Sequence, residues 1–242
     1  MILVLLALLV SFLLYIADYY HEDESAYAAL ESDKVVRVDK TVYGWLFDGP
    51  SEDKALVFYP GGKVETTAYA PFLHLLASEG MDVCLVEMPF RLAVFGVNKA
   101  AEVLKAHQYV NWYIGGHSLG GAMAANYAAK YGEMLSGIIL CAAYPTKALN
   151  PNLLEISLYG SEDGILNRKK IMDGYAFAPH HFQEFVIPGG NHAQFGDYGR
   201  QRGDGTATIS AAEQQKIAVE SIIQCIIEQN ADKLVPDSGS EK

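Results

Sequence analysis

Residues 111–131 read NWYIGGHSLGGAMAANYAAKY, and the way this stretch folds decides the architecture. Asn111–Gly115 is mostly apolar and aromatic, the pattern of a short buried strand. Leu119–Tyr131 is alanine-rich, free of proline and stopped by Gly132, which predicts a helix packed close to its neighbours. Between them, Gly116-His117-Ser118-Leu119-Gly120 puts a serine on a sharp strand-to-helix turn. Such a turn strains the backbone, and side chains at the flanking glycines would collide with adjoining elements. The helix start also supplies free N–H groups and the positive end of a dipole beside the serine. Gly-x-Ser-x-Gly alone is a weak motif; strand before and small-residue helix after make Ser118 a candidate nucleophile.

A serine hydroxyl needs a base, and the base needs an orienting carboxylate. Leu153–Tyr159 reads as a strand that runs into Gly160-Ser161-Glu162-Asp163, and Phe182–Ile187 as one that runs into Pro188-Gly189-Gly190-Asn191-His192. An acid and a histidine thus follow the carboxyl ends of two strands, where parallel sheets present their sites. Asp163 is the expected acid, with Glu162 the alternative, and His192 is the expected base. His117 adjoins the nucleophile and is expected to pack or hydrogen-bond behind the turn. His21, His74, His107, His180 and His181 are expected to be structural or solvated.

The strand Ala55–Tyr59 opens into Pro60-Gly61-Gly62-Lys63. Glycines let a backbone approach a substrate carbonyl closely, so the N–H groups of Gly62 and Lys63 are candidate oxyanion donors beside that of Leu119. Phe90, Leu92 and Phe95, in the apolar loop after the next strand, either line an acyl pocket or are core packing. Gly196–Gly205, rich in Gly and Asp, reads as a structured turn near the site.

Further strands are expected at Val35–Lys40, Val42–Phe47, Asp82–Glu87 and Gly137–Ala143. Helices are expected at Tyr69–Ser78, about Asn98 to His107, near Asn167–Tyr175, and from the Ser210-x-x-Glu213 capping box onward. Eight strands interleaved with helices, most of them continuous apolar runs, predict an α/β fold with a mostly parallel sheet covered on both faces. Only Tyr144–Asn152 separates two of the strands, too little for a large cap domain. Cys84, Cys141 and Cys225 sit in apolar runs and are expected to be free core thiols, and no Cys/His spacing suits zinc.

The 242 residues carry a net charge of −11, which argues against nucleic acid as a partner. The charge is uneven. Residues 1–33 hold six acids and no Lys or Arg, whereas the other 209 carry only −5. Met1–Ala17 has Ser11 as its one clearly polar residue. It reads as a hydrophobic helix serving as an uncleaved membrane anchor, with a cleaved export signal and a buried core helix as alternatives. The expected organisation is anchor 1–17, acidic stalk 18–34, catalytic domain 35–230 and flexible tail 231–242. A cell-membrane location with the catalytic domain outside the cytoplasm is the preferred topology.

YPGGKVETTAYAP (59–71), GGHSLGG (115–121), YGSED (159–163) and GGNHAQFGDYG (189–199), in that order, resemble the α/β-hydrolase superfamily. They are similar in particular to small, lidless bacterial hydrolases with an N-terminal hydrophobic anchor. The resemblance covers roughly residues 35–230. It implies an α/β-hydrolase fold with Ser118 as nucleophile, His192 as base and Asp163 as acid. The expected activity is carboxylesterase, on short or medium acyl esters of small molecules and with no metal or organic cofactor. Lactone, thioester or peptide hydrolysis, or a non-catalytic envelope role, are the alternatives.

Overall fold

The computed structural model describes residues 1–51 and 53–234. Eight strands form one sheet: β1 (Arg37–Lys40), β2 (Gly44–Asp48), β3 (Lys54–Tyr59), β4 (Asp82–Val86), β5 (Asn111–His117), β6 (Gly137–Cys141), β7 (Leu154–Gly160) and β8 (His181–Ile187). Their order is β1-β2-β4-β3-β5-β6-β7-β8. β1 and β2 pair antiparallel, as do β2 and β4; every later pairing is parallel. The inner strands β3–β7 are buried on both faces, which is why they read as largely apolar runs, whereas the edge strand β8 is mostly exposed and alternates.

Side chains alternate across the sheet and feed two cores. Leu56 and Phe58 of β3 point to one side, where they join Phe72, Leu73 and Leu76 of α3 (Ala70–Ser78) and Val219, Ile222 and Ile226 of α7 (Ala211–Leu234). Val57 and Tyr59 point to the other, against α4 (Ala100–Ala106) and α5 (Leu119–Tyr131). The buried face of α5 is Gly120, Gly121, Ala124, Ala125 and Ala128, so this helix lies close on β5 and β6. Ser210 caps α7 by accepting the Glu213 N–H at 3.2 Å, as the capping box predicts. A short helix, α6 (Arg168–Gly174), separates β7 from β8. All three cysteines are free and buried. Only residues 142–153 lie between β6 and β7, so no cap domain is inserted there.

The N-terminal region departs from expectation. Ile2–Ala17 is a helix, α1, but 16 residues rise only about 24 Å, against a hydrocarbon core of about 30 Å. No helix among the described residues is long and apolar enough to cross a membrane, so the expected single-pass span is not present there. The acidic stretch is packed rather than free-standing, which corrects the stalk. Tyr20 makes a parallel bridge to Val64, and the Asp23 N–H donates to the Asp197 carbonyl at 2.8 Å. Ala26, in the one-turn helix α2 (Glu24–Ala28), is fully buried, and His74 donates from Nδ1 to the Ala29 carbonyl at 2.9 Å. These partners are 40 to 180 positions away in sequence, so a local reading of charge density misses them. At the other end α7 continues through Leu234, so positions 231–234 of the expected tail are helical; the rest of it lies outside the described residues.

Candidate active site

β5 runs two residues past its expected end, carrying His117 into the sheet opposite Cys141 before the chain turns. Ser118 then takes φ 53°, ψ −119°, a strained conformation for a residue with a side chain, and α5 begins at Leu119. The flanking glycines are required by space. A Cβ on Gly120 would collide with the Tyr59 and Pro60 carbonyls, and one on Gly116 with Tyr59 and with the backbone of Gly120 at 2.8 Å. Ser118 remains half-exposed, whereas His117 and His192 are buried.

His192 and Asp163 meet as the sequence order anticipates. His192 Nδ1 lies 2.9 Å from Asp163 Oδ2, with both side chains almost wholly buried. The other Asp163 oxygen, Oδ1, accepts the N–H groups of Ile165 (2.9 Å) and Leu166 (2.8 Å), which fixes the carboxylate plane. With Nδ1 so occupied, the neutral imidazole presents Nε2 as its basic atom. Nε2 is buried and has no hydrogen-bond partner among the described residues. The His192 ring lies 4.6 Å from that of His117, the residue before the nucleophile. Glu162, the alternative acid, is exposed and accepts from the Ser161 hydroxyl instead, at 2.9 Å.

The oxyanion loop divides its two expected donors. Lys63 (φ 60°) spends its N–H on the Arg91 carbonyl at 2.9 Å, so it is not a free donor. The N–H groups of Gly62 and Leu119 have no acceptor among the described residues. The two are neighbours, since a Cβ on Gly62 would lie 2.8 Å from Leu119 Cδ2. Of the expected set of Leu119, Gly62 and Lys63, Leu119 and Gly62 thus keep an N–H with no acceptor among the described residues. The Lys63 ammonium pairs with Asp18 at 2.8 Å.

Two supports were not foreseen. Tyr69, fully buried, accepts the Gly61 N–H on its hydroxyl at 2.9 Å and stands 2.8 Å from His117 Nδ1. The Tyr69 hydroxyl thus links the Gly61 amide to the His117 imidazole through one buried oxygen. Burial pushes the His117 pKa well down, the neighbouring His192 lowers it further, and the His192 backbone opposes this in part. Burial thus favours the neutral form of His117 beside the His192 ring. It does lie behind the turn, as expected, but it also ties the elbow to the oxyanion loop. The second support is Asp204, whose carboxylate accepts the N–H groups of His192 (3.3 Å), Ala193 (2.9 Å) and Gly164 (3.0 Å). It clamps the acid loop to the base loop. The Gly- and Asp-rich composition of 196–205 signalled a structured turn, but not which aspartate would hold it. Tyr69 had no sequence signal beyond its place at the start of a helix.

The proposed pocket residues separate. Leu92 is buried, whereas Phe90 and Phe95 are about half exposed. Their rings pack edge-to-face at 5.8 Å, and each meets the ring of Phe12 of α1 edge-on, at 5.5 and 6.3 Å. They form an open aromatic shelf rather than a closed cavity. One cluster of metal-ligating side chains occurs among the described residues: His21, Glu22 and Glu65, with donor atoms within 4.8 Å of one another. It is partly exposed and includes no member of the triad.

The sequence profile of the alpha/beta hydrolase family matches residues 55–216, a span that contains Gly61–Gly62, Ser118, Asp163 and His192. No curated protein sequence matches the chain. Among solved structures, Est1E from Butyrivibrio proteoclasticus superposes with a TM-score of 0.57 at 12% identity, covering 82% of this chain and 100% of that one. A thermostable carboxyl esterase from Bacillus coagulans, in complex with glycerol, gives 0.57 at 12% identity over 80% and 97%. A soluble variant of monoglyceride lipase from Saccharomyces cerevisiae, bound to a substrate analogue, gives 0.55 at 10% over 82% and 96%. At these identities the likeness is one of fold.

Proposed function

Because the chain belongs to the alpha/beta hydrolase family, we infer that this hydrolase is a serine esterase that cleaves short or medium acyl esters of carboxylic acids. The observation that carries the reading is the buried Asp163–His192 pair, with the basic nitrogen of His192 unpaired and its ring 4.6 Å from that of His117, the residue before the strained Ser118. His192, oriented by Asp163, takes the Ser118 proton as Oγ attacks the ester carbonyl. The carbonyl oxygen gains negative charge and accepts from the N–H groups of Gly62 and Leu119, which need no reorganisation to receive it. The proton held on His192 Nε2 passes to the departing alcohol, leaving an acyl-Ser118. His192 then activates water to release the acid and regenerate the hydroxyl. His117, neutral and buried, adds no like charge beside the transient imidazolium.

The absence of a cap between β6 and β7 and the exposed Phe90–Phe95 shelf support an open site for small acyl groups. The test is a chain-length panel of nitrophenyl esters with Ser118→Ala as control, run beside lactone, thioester and peptide substrates. We expect turnover of the esters above the other classes, with loss in Ser118→Ala. A fluorophosphonate should label the wild type and not the variant. Equal rates for the two proteins would refute the mechanism, and no labelling of either would favour a non-catalytic scaffold.

A further inference from the structure

Resting on the esterase reading, we propose that α1 seats the mouth of the active site on a lipid bilayer, and that the ester cleaved is one whose acyl chain lies in that bilayer. α1 has no polar face. Its only clearly polar residue is Ser11, and large apolar side chains such as Leu5, Leu6, Leu9 and Leu14 are each more than half exposed. A protein groove covers one side of a helix and would leave the others in water. Hydrocarbon covers all sides at once, and roughly 25 cal/mol for each Å² of apolar surface favours that transfer.

The C-terminal turns of α1 are fixed to the rim of the site. Phe12 packs on Phe90 and Phe95. The Lys63 ammonium lies 4.5 Å from the Tyr15 ring centroid and pairs with Asp18, and the Arg91 guanidinium lies 3.4 Å from that of Tyr19. The Tyr20 N–H donates to the Lys63 carbonyl and the Glu65 N–H to that of Tyr20, both at 2.8 Å. The helix direction is therefore set relative to the oxyanion loop, one residue from Gly62.

Depth follows from helix geometry. Phe12 precedes Ala17 by five residues, about 7.5 Å along the axis. If Tyr15 and Tyr19 take the headgroup level that aromatic belts occupy, Phe12, Phe90 and Phe95 lie at the acyl boundary, about 5–10 Å in. Lys63 and Arg91 then stand among the headgroups, and Gly62 meets the zone where lipid ester carbonyls reside. The flank after α1 is acidic, with Asp18, Glu22, Asp23 and Glu24, so binding is driven by apolar area and not by anionic lipid.

The full chain, purified in mild detergent and diluted onto phosphatidylcholine vesicles, tests this by flotation. The proteins compared are wild type, Ser118→Ala, and Leu6→Asp/Leu9→Asp, which touches nothing in the catalytic machinery. We expect wild type and Ser118→Ala to float equally, with little change on adding salt or anionic lipid, and the double variant to float at least tenfold less. Turnover of soluble nitrophenyl acetate should be the same in wild type and the double variant. Cleavage of monodecanoylglycerol carried in the vesicles should fall at least tenfold in the double variant. Equal flotation of all three overturns the proposal, as does a lipid-free wild-type dimer that the double variant breaks, since α1 helices would then cover one another. Equal cleavage of vesicle-borne ester despite unequal flotation overturns the substrate assignment. Flotation without turnover of either ester by the wild type overturns the esterase reading, and the substrate with it, while the bilayer surface stands.

Discussion

Replacing Tyr69 by Phe removes one oxygen from a fully buried site and nothing else. That oxygen accepts the Gly61 N–H and shares a hydrogen bond with His117 Nδ1. The phenyl ring still fills its place between Phe58, His117 and Tyr198, so packing is retained. What is lost is satisfaction: a buried amide and a buried imidazole nitrogen are left without partners. Each costs about 1–3 kcal/mol, so a loss of about 2–6 kcal/mol is expected. In a chain of this size that lowers Tm by roughly 4–24 °C. Catalysis should suffer separately. Gly61 precedes the donor Gly62, and one well-placed oxyanion donor is worth about 2.7–4 kcal/mol, or a factor of about 100 to 1,000 in kcat. A loosened loop forfeits part of this, so we expect kcat to fall about 10- to 100-fold with KM little changed. The assay is steady-state hydrolysis of nitrophenyl butyrate with thermal melting on the same samples, measured well below the lower Tm. Fluorophosphonate labelling of Ser118 should slow in parallel, because it develops charge on the same oxygen position. A variant with Tm within about 1 °C and kcat within twofold of wild type would refute the reasoning, since the two hydrogen bonds would then be holding nothing.

Two further outcomes follow from the same structure. Asp163→Asn should lower kcat by about 10⁴, because an amide cannot hold the His192 tautomer and stabilise its cation, whereas Glu162→Gln should change it less than twofold; the reverse order in ester hydrolysis would exchange the two roles. Glu155, buried on β7 with Oε2 unpaired, has its pKa raised from 4.5 to about 7 by burial and, secondarily, by Glu184. A carboxyl raised in the folded state favours the neutral form, so stability is highest below the unfolded pKa and falls as pH rises from about 4.5 through about 7. At about 1.4 kcal/mol per tenfold, the loss is about 3 kcal/mol. Melting curves from pH 5 to 8 should therefore fall more steeply for wild type than for Glu155→Gln, and parallel curves would remove Glu155 from the account. Asp82, raised to about 6 by burial, supplies a decline common to both proteins.

Local features are legible in the order of residues. Apolar runs specify the inner strands, and helical spacing with caps specifies α3, α5 and the start of α7 to within one or two residues, because backbone preference and burial act over a single element. The order of Ser118, Asp163 and His192 was legible for the same reason: each follows directly on a strand, and parallel strands all deliver their carboxyl ends to one edge. Features that depend on a partner far along the chain emerge with folding. Which of Gly62 and Lys63 keeps a free N–H rests on where the Arg91 carbonyl lies, and which acid meets His192 rests on how the β7 and β8 loops converge. Tyr69 and Asp204 act through backbone groups, which leave no residue-type signature at the far end. The N-terminal segment shows the limit most sharply. Its composition is that of an anchor followed by a stalk, yet Phe12, Tyr20 and Asp23 are held against loops 40 to 180 residues away. Hydrophobicity and charge specify how much a segment gains by leaving or meeting water, and only the folded surface specifies what it meets.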